Sequence, residues 1–496
     1  MRSLAIDTLA HSVESRTITL DGLDVMSSIM NLPLYFYYKN TEADAGFMPS
    51  DVLRDSFYRT LHDFSILVGH LQRTKSGLLQ VDIDKNNLNL PEYKETYCDV
   101  HFDKLKAAGF DSTALSDHAE TAGPIMLENA NGVIKLVSIH VHRLKDNSGV
   151  AIFASIAHAV VDGAGFSTFM KRWSTICKLM ASDGLLASIP KQSISNNRGD
   201  IGDCLPKSRT LPGSRLETLR VQGGVLSRWI ARMSPQLRGK LFSALGGLFA
   251  SADSHYFISR QMLNQFRSTI DEFIPEKQQI SDNDIIMTLL SIVTARSLGT
   301  PQAQCPTGKR IARARSAVGR MLGKPPKLFG TIIAVSMRPR CQQLVDSGYC
   351  GNAVVPLAVS SLLSELQTPV TPDLLAKVAV KIRNEVDAVD ADYIGQVVDL
   401  VNQVPDYYLR PMLYNTQYTK TAFATNLSSM GWYEIDFGGG APEWVSFKEG
   451  SFPSAAVILP APPSLDGYMV HMMVPKKLDK YFRKSRLWTS NAELVR

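Results

Sequence analysis

Residues 149–166, GVAIFASIAHAVVDGAGF, decide the fold, because they join an apolar strand to a helix through a sharp turn. The run over 150–156 is apolar enough for a buried strand, and His158 stands where that strand ends. Gly163 and Gly165 permit the backbone to turn tightly. The stretch therefore predicts a strand, a turn and a helix in direct succession.

The elements on both sides of this turn follow from periodicity. Upstream, residues 133–143 alternate in hydropathy, and the turn at 146–149 connects them to the apolar strand as a hairpin. Downstream, apolar residues recur at the spacing of one helix face until Gly184 ends the pattern. That face consists of Phe166, Phe169, Met170, Trp173, Cys177 and Met180.

Further strand and helix patterns lie around a segment without periodicity. Residues 188–214 are rich in Ser, Pro, Gly and Asn and are interpreted as a linker between lobes over 1–187 and 215–496. Ser281 and Asp284 resemble a capping box at the start of a helix. Helices are predicted over 56–71, 261–273, 285–295 and 372–389, and strands over 78–83, 328–337, 455–459 and 468–474.

The composition is that of an ordinary two-domain globular protein. The chain has 496 residues, of which 45% are apolar and 20% charged, and its net charge of +6 is mild. Such a balance requires neither extensive disorder nor a nucleic acid partner. The N-terminus lacks the pattern of a signal peptide, and the charged residue Asp162 makes the most apolar stretch a poor membrane span.

The cysteines are dispersed and none forms a C-x-x-C pair, so we predict neither a disulfide framework nor a zinc site. A reducing, cytoplasmic setting fits this pattern. His140 and His142 share one strand face, but no third ligand stands at suitable spacing, so they are interpreted as structural. The six cysteines are Cys98, Cys177, Cys204, Cys305, Cys341 and Cys350.

The motif His158-x-x-x-Asp162-Gly163 carries the chemistry. A strand end projects its side chain towards a cleft, where an imidazole can meet a substrate, while Asp162 folds back to fix the turn. Chance matches to this motif are expected on the order of 0.03–0.04 per chain from average residue usage. The competing interpretation is a core histidine beside a turn aspartate.

The wider pattern resembles the BAHD acyltransferases, which carry H-x-x-x-D near the chain middle and D-F-G-W-G towards the C-terminus. The second motif here reads DFGGG at 436–440. Gly439 and Leu427 stand where the family often has tryptophan, and Ser336 replaces the aspartate of a V-D-x-R motif. Further similarities in the same order are LVGHL at 67–71, VSMR at 335–338, YCGN at 349–352 and TNL at 425–427.

This resemblance implies an α/β fold of two similar lobes, each a mixed β-sheet flanked by helices as in chloramphenicol acetyltransferase, with a channel between them. Acyl-CoA enters as a co-substrate and a small-molecule alcohol, phenol or amine as the acceptor. The implied protein is a monomer without a permanently bound cofactor or metal. Asp162 pairs with Arg338, while Asp436 and Gly438 belong to a structural motif away from the reacting atoms.

The implied reaction is acyl transfer with His158 as general base. A thioester is already electrophilic, so the missing element is a deprotonated nucleophile, which a neutral imidazole can generate at neutral pH. No Ser or Cys is placed beside His158 by the sequence, which favours direct transfer over an acyl-enzyme. Thr425 and Asn426 are the candidates for stabilising the oxyanion, or they are ordinary polar residues at a strand end.

A basic window supplies candidates for binding the phosphates of coenzyme A. Residues 285–345 contain no acidic residue, and one aromatic residue, Phe329, makes nucleic acid stacking a weaker interpretation. A solvated surface loop is the alternative. The candidates are Lys309, Arg310, Arg313, Lys324 and Lys327.

Two other functions remain open on the sequence. One is a condensation-type enzyme that uses carrier-protein thioesters, although that class prefers two adjacent histidines and Ala157 occupies the first position here. The other is a catalytically degenerate binding protein of the same fold, against which the intact His158, Asp162 and Gly163 argue.

Overall fold

The computed structural model describes residues 4–27, 31–74, 79–115, 134–184, 188–190, 192–206, 251–276, 278–299, 327–403, 420–449 and 455–496. These residues confirm the predicted α/β fold with two large sheets. None of the described helices is long and apolar enough to cross a membrane.

The strands in these residues are β1 (Arg16–Thr19), β2 (Asn31–Lys39), β3 (His70–Arg73), β4 (Leu79–Ile83), β5 (Glu92–Cys98), β6 (Val137–Leu144), β7 (Gly149–Ala157), β8 (Ser251–Ser259), β9 (Leu328–Ser336), β10 (Val354–Leu362), β11 (Lys420–Asn426), β12 (Trp444–Phe447), β13 (Ala455–Pro460), β14 (Gly467–Pro475) and β15 (Glu493–Leu494).

The α-helices are α1 (Leu4–Ser12), α2 (Gly22–Ser27), α3 (Ser50–Thr60), α4 (Phe102–Ala107), α5 (Gly163–Asp183), α6 (Gly199–Asp203), α7 (Arg260–Ile270), α8 (Asp282–Ser297), α9 (Gln342–Asp346), α10 (Leu363–Leu366), α11 (Pro372–Asp387), α12 (Ala391–Gln403), α13 (Lys476–Phe482) and α14 (Arg486–Thr489).

The first lobe is built on a five-stranded sheet in the order β12–β2–β7–β6–β5, in which β5 and β6 run parallel and the other pairs antiparallel. The hairpin between β6 and β7 turns through Asp146 and Asn147, whose positive φ angles of 57° and 51° suit a short polar side chain. Every residue of β7 is buried, as its apolar sequence predicts. A small antiparallel sheet, β1–β4–β3, accompanies this lobe.

The predicted helix over 56–71 is wrong at both ends. The structure begins α3 at Ser50 and ends it at Thr60, and a short 3-10 turn follows at Ser65–Val68. Leu61 and Phe64 are nonetheless fully buried. Their spacing therefore reflects burial of an irregular segment, which apolar periodicity alone does not distinguish from a helix.

The second lobe contains a seven-stranded sheet in the order β10–β9–β11–β13–β14–β8–β15. Its helix α8 is buried along most of its length and starts with the predicted capping box of Ser281 and Asp284. Arg383 on α11 donates to both of those side chains, so the cap also ties two helices together.

The two hydrophobic cores do not follow the chain division at 188–214. Strand β12 pairs with β2 in the first lobe, and Trp432, Phe437 and Phe447 belong to the first core. In the opposite sense, Leu23 from the N-terminal part packs in the second core. The chain therefore crosses between the lobes more than once.

Residues 192–206 of the predicted linker form an ordered connection, which we call the crossover segment. It contains α6, and Ser195 forms a β-bridge with Tyr349. The prediction of no disulfide framework misses one bond, because Cys204 forms a disulfide with Cys341 across a Cα–Cα distance of 5.9 Å. No sequence pattern indicated this pair, because its members are 137 residues apart.

Reduction of the Cys204–Cys341 disulfide is expected to destabilise the protein by about 2–5 kcal/mol, because the bond closes a long loop in the unfolded chain. Urea denaturation with and without dithiothreitol measures this effect. The Cys204→Ser variant is the control and should be insensitive to the reductant. An unchanged wild-type midpoint in dithiothreitol contradicts a stabilising disulfide.

Candidate active site

His158 lies directly after β7, in the turn that leads to α5. The residue is partly exposed, yet its Nδ1 atom is buried and has no hydrogen-bond partner in the described part of the chain. The Nδ1 edge of the ring thus faces the protein interior, while the residue as a whole keeps some exposure to solvent.

Burial lowers the pKa of His158 below its ordinary value. Asp162, the side chain of Asn352 and nearby backbone carbonyls act in the opposite direction but do not overcome this effect. Because an uncharged imidazole is the form that accepts a proton, the site favours the basic form of His158 at neutral pH.

The carboxylate of Asp162 makes four structural contacts. Its carboxylate makes two contacts with Arg338, at 2.7 and 3.1 Å, and accepts backbone N–H bonds from Gly165 and Ala353, each at 3.0 Å. Burial works to raise the pKa of Asp162, but Arg338 and these N–H groups hold it below the usual value. The predicted pairing of Asp162 with Arg338 is therefore present, and Asp162 also caps the N-terminus of α5.

The glycines of this turn are required by close contacts. A Cβ atom on Gly165 would lie 2.1 Å from the carbonyl oxygen of Cys350, and a Cβ on Gly163 would lie 2.6 Å from Cδ2 of Leu427. These contacts bring the second lobe against the start of α5. Arg338 strengthens the same junction by donating to the carbonyls of Tyr349 and Gly351, each at 3.1 Å.

A second group of buried polar residues surrounds the turn, and the sequence did not predict it. Asp24 on α2 pairs with Arg198 of the crossover segment at 2.8 Å. Asn352 donates to the Asp24 carboxylate and to the His158 carbonyl, each at 2.8 Å. Burial and the neighbouring Asp24 raise the pKa of Asp21 to about 7. The YCGN similarity pointed to Asn352, but no local pattern marked Asp24 or Arg198.

Thr425 and Asn426 differ in their orientation at the end of β11. Phe423 on this strand contacts the first core, whereas Ala422 and Ala424 belong to the second, so strand alternation directs Thr425 towards the first lobe. Asn426 points to the other side. Its Nδ2 donates to Asn283 at 3.0 Å and its Oδ1 accepts from the backbone of Ser428, so its polar atoms already serve the local turn.

The DFGGG segment (residues 436–440) is a structural support on α5. The Asp436 carboxylate accepts the N–H groups of Gly438 and Gly440, both of which have positive φ angles, and lies 3.2 Å from Lys178. Phe437 is buried against Trp173, with 4.6 Å between ring centroids. These contacts place the motif at α5 and not at the imidazole of His158.

Gly439 and Leu427, which stand where the family often has tryptophan, pack against different neighbours. A Cβ on Gly439 would lie 2.6 Å from Cε2 of Phe47, so the Phe47 ring occupies the space a larger residue would need. Leu427 is buried against Gly163, and its carbonyl accepts the indole N–H of Trp432 at 2.8 Å. The first lobe thus supplies an aromatic side chain beside Gly439, and Trp432 packs beneath Leu427.

Most of the basic candidates lie outside the described residues, namely Lys309, Arg310, Arg313 and Lys324. Lys327 is described and is exposed immediately before β9.

His140 and His142 both contact the hydroxyl of Thr96, at 3.0 and 3.4 Å, and burial lowers the pKa of His142 to about 3. No cluster of three or more potential metal ligands occurs in the described residues.

The model of the Transferase family matches residues 5–183 and 315–485, which together hold both motifs and most of the two lobes. The chain belongs to the Transferase family. This finding confirms the resemblance to the BAHD acyltransferases that the motifs indicated.

Curated relatives of this family member share low identity with it. The O-acetyltransferase ptmV of Penicillium ochrochloron is 24% identical over 360 residues, which are 65% of this chain and 66% of the relative. The BAHD acyltransferase DCR of Arabidopsis thaliana is 32% identical over 303 residues, or 60% of this chain and 61% of the relative. The chain thus matches less than two thirds of the length of each.

A solved structure extends the likeness over nearly the whole chain. TRI101 of F. graminearum, crystallised with coenzyme A and deoxynivalenol, superposes with a TM-score of 0.70. The match covers 97% of this chain and 100% of that one at 13% sequence identity, so it establishes a shared fold.

Asp162→Asn is expected to destabilise the protein by about 3–5 kcal/mol at pH 7, because it leaves the largely buried Arg338 without its charged partner. Stabilisation by Asp162 is complete above its unfolded pKa of about 3.9 and is lost as the pH falls through the lowered folded value. The difference in the free energy of unfolding between wild type and Asp162→Asn should therefore decrease as the pH falls. Urea denaturation at several pH values measures it.

The matched control is Asp183→Asn at the exposed far end of α5, which should change stability by less than about 0.5 kcal/mol. Equal stability of Asp162→Asn and wild type at pH 7 contradicts the assigned role of the ion pair.

Proposed function

We propose that this family member transfers an acyl group from acyl-CoA to a hydroxyl group of a small molecule, with His158 as the general base. The observation that carries the proposal is the placement of His158. The ring sits deep enough for burial to lower its pKa, while the residue stays partly exposed to solvent. A channel between the lobes that ends at Nε2 accounts for both properties.

The steps follow from the chemistry of a thioester. Nε2 of His158 accepts the acceptor's hydroxyl proton while the hydroxyl oxygen attacks the thioester carbonyl carbon. The tetrahedral intermediate then collapses with cleavage of the carbon–sulfur bond. The leaving thiolate takes the proton from the imidazolium, which returns His158 to its neutral form.

The surroundings of the ring support this direction of proton transfer. A neutral imidazole carries its proton on one nitrogen and a lone pair on the other. Nδ1 of His158 and Oδ1 of Asn352 are both buried without a hydrogen-bond partner in the described residues, and Asn352 acts to raise the pKa of the ring against the effect of burial. We propose that the neutral ring carries its proton on the buried Nδ1, which leaves the lone pair on Nε2.

Direct transfer is favoured over an acyl-enzyme. Cys350 is the free thiol beside the Asp162–Arg338 pair, but it is buried, and burial raises its pKa to about 12. A thiol in that state is a poor nucleophile. Thr425, which faces the first lobe, is the proposed donor to the oxyanion, where one such hydrogen bond typically contributes about 10²–10³ in rate.

The proposed acyl donor and acceptor are inferred from the charge of the basic residues and from the names of similar proteins. Lys309, Arg310, Arg313, Lys324 and Lys327 are proposed to attract the phosphates of coenzyme A. The TRI101 structure contains coenzyme A together with deoxynivalenol, and the relative ptmV is named an O-acetyltransferase. These names favour acyl-CoA as donor and a hydroxyl as acceptor.

His158→Ala is expected to lower acyl transfer by about 10²–10⁴-fold, because it removes the base. The assay is thiol release from acetyl-CoA in the presence of a panel of alcohols and phenols, with product detected by mass spectrometry. His140→Ala removes another buried histidine of the first lobe and should retain the activity per folded molecule. Equal thiol release by wild type and His158→Ala removes His158 as the base.

The pH dependence of kcat/KM provides a second test. Because burial lowers the pKa of His158, the base remains uncharged at pH 7, and activity should decline only as the pH falls below about 6.5. A logarithmic profile with unit slope in the acid limb is expected. A limb with its midpoint above pH 7 contradicts the assignment.

A further inference from the structure

The buried pair of Asp24 and Arg198 is a second ionic contact between parts of the chain that meet at His158. The guanidinium approaches the carboxylate through two nitrogens, at 2.8 and 3.2 Å. The Asp24 side chain is fully buried and that of Arg198 is 7% exposed. Such paired contacts define orientation as well as distance, because the planar guanidinium matches the planar carboxylate.

This pair holds the backbone of the His158 turn on two sides. Nη2 of Arg198 donates to the carbonyl of Val160 at 2.8 Å. Nδ2 of Asn352 donates to the carbonyl of His158 at 2.8 Å and to the Asp24 carboxylate at the same distance. Two carbonyls of the turn are therefore bound by groups that converge on one carboxylate.

Arg198 is itself fixed by the second lobe. Ser195, three residues before it, exchanges backbone hydrogen bonds with Gly348 and Cys350, at 3.0 and 2.9 Å. The Arg198 guanidinium lies 5.8 Å from the centroid of the Tyr349 ring. The disulfide between Cys204 and Cys341 anchors the other end of α6. Arg198 thus contacts both the second lobe and the His158 turn, so the position of the turn depends on that of the second lobe.

We propose that Arg198, together with Asp24 and Asn352, is a positioning residue that sets the angle at which His158 presents Nε2 to the acceptor. This inference rests on the proposed role of His158 as the base. Buried ion pairs are often no more stable than apolar replacements, so an orienting role is a better account of this pair than added stability. The two bound carbonyls leave the turn little freedom to rotate.

The test compares Arg198 with a matched buried pair away from the reacting centre. Arg172 on α5 pairs with Asp63 at 2.7 Å, and its side chain is also 7% exposed. Arg198→Gln and Arg172→Gln each break a buried pair and should both lower Tm. Arg198→Gln alone should lower kcat, on the order of 10–100-fold, because displacement of about 1 Å can cost 10²-fold in rate.

The division between kinetic constants separates positioning from general damage. KM for acetyl-CoA should stay close to wild type in Arg198→Gln, since no contact with the donor is removed. Arg198→Lys keeps the charge but cannot span Asp24 and the Val160 carbonyl together, so its kcat should lie between those of wild type and Arg198→Gln, with Tm near wild type. If Arg198→Gln does not fold, the comparison of Arg198→Lys with wild type tests the proposal.

Equal kcat for wild type and Arg198→Lys, or equal losses in Arg198→Gln and Arg172→Gln, overturns the positioning role. A structural measurement separates this outcome from failure of the proposed function. In protein with 15N-labelled histidine, the His158 ring signals, identified by their absence in His158→Ala, should move in Arg198→Lys and stay in place in Arg172→Lys. Signals unchanged in Arg198→Lys overturn the inference whether or not acyl transfer is found.

Discussion

The ion pair between Asp162 and Arg338 is the interaction on which the rest of the site depends. Asp162 ends the turn after β7, caps α5 and accepts an N–H bond from Ala353 in the other lobe. A buried carboxylate is tolerated only when its oxygens are satisfied, and here two contacts from Arg338 and two backbone N–H groups do so. One side chain therefore determines where the strand ends, where the helix begins and how the lobes meet.

The supports around this pair act on different sides of the same turn. Arg338 and Cys350 approach the start of α5, while Arg198 and Asn352 approach the carbonyls that precede it. On α5, the DFGGG segment packs Phe437 against Trp173 and orders its own glycines through Asp436. These contacts surround the turn that carries His158 and leave that residue partly exposed to solvent.

Local sequence predicted the elements that carry the site more reliably than the contacts between them. The apolar run before His158, the face of α5 and the capping box of α8 each depend on neighbouring residues, and all three are present. Arg338 was expected only through the family resemblance. Arg198 lies in a segment interpreted as a linker, because its Ser, Pro, Gly and Asn content resembles that of an unstructured connection although its contacts are long-range.

The family resemblance indicated the α/β class and the proposed roles of the site residues, whereas the sequence by itself determined the strand–turn–helix unit around His158 and the capping box of α8. These features depend on periodicity and caps, whose energies arise within a few residues. Only the tertiary structure decided the partners of the turn. Asp162 and Arg338 are 176 residues apart, and Asp24 and Arg198 are 174 apart. Charged groups so distant in the chain come into contact only after the two sheets have formed and buried them. No short sequence pattern therefore predicts which of them will pair.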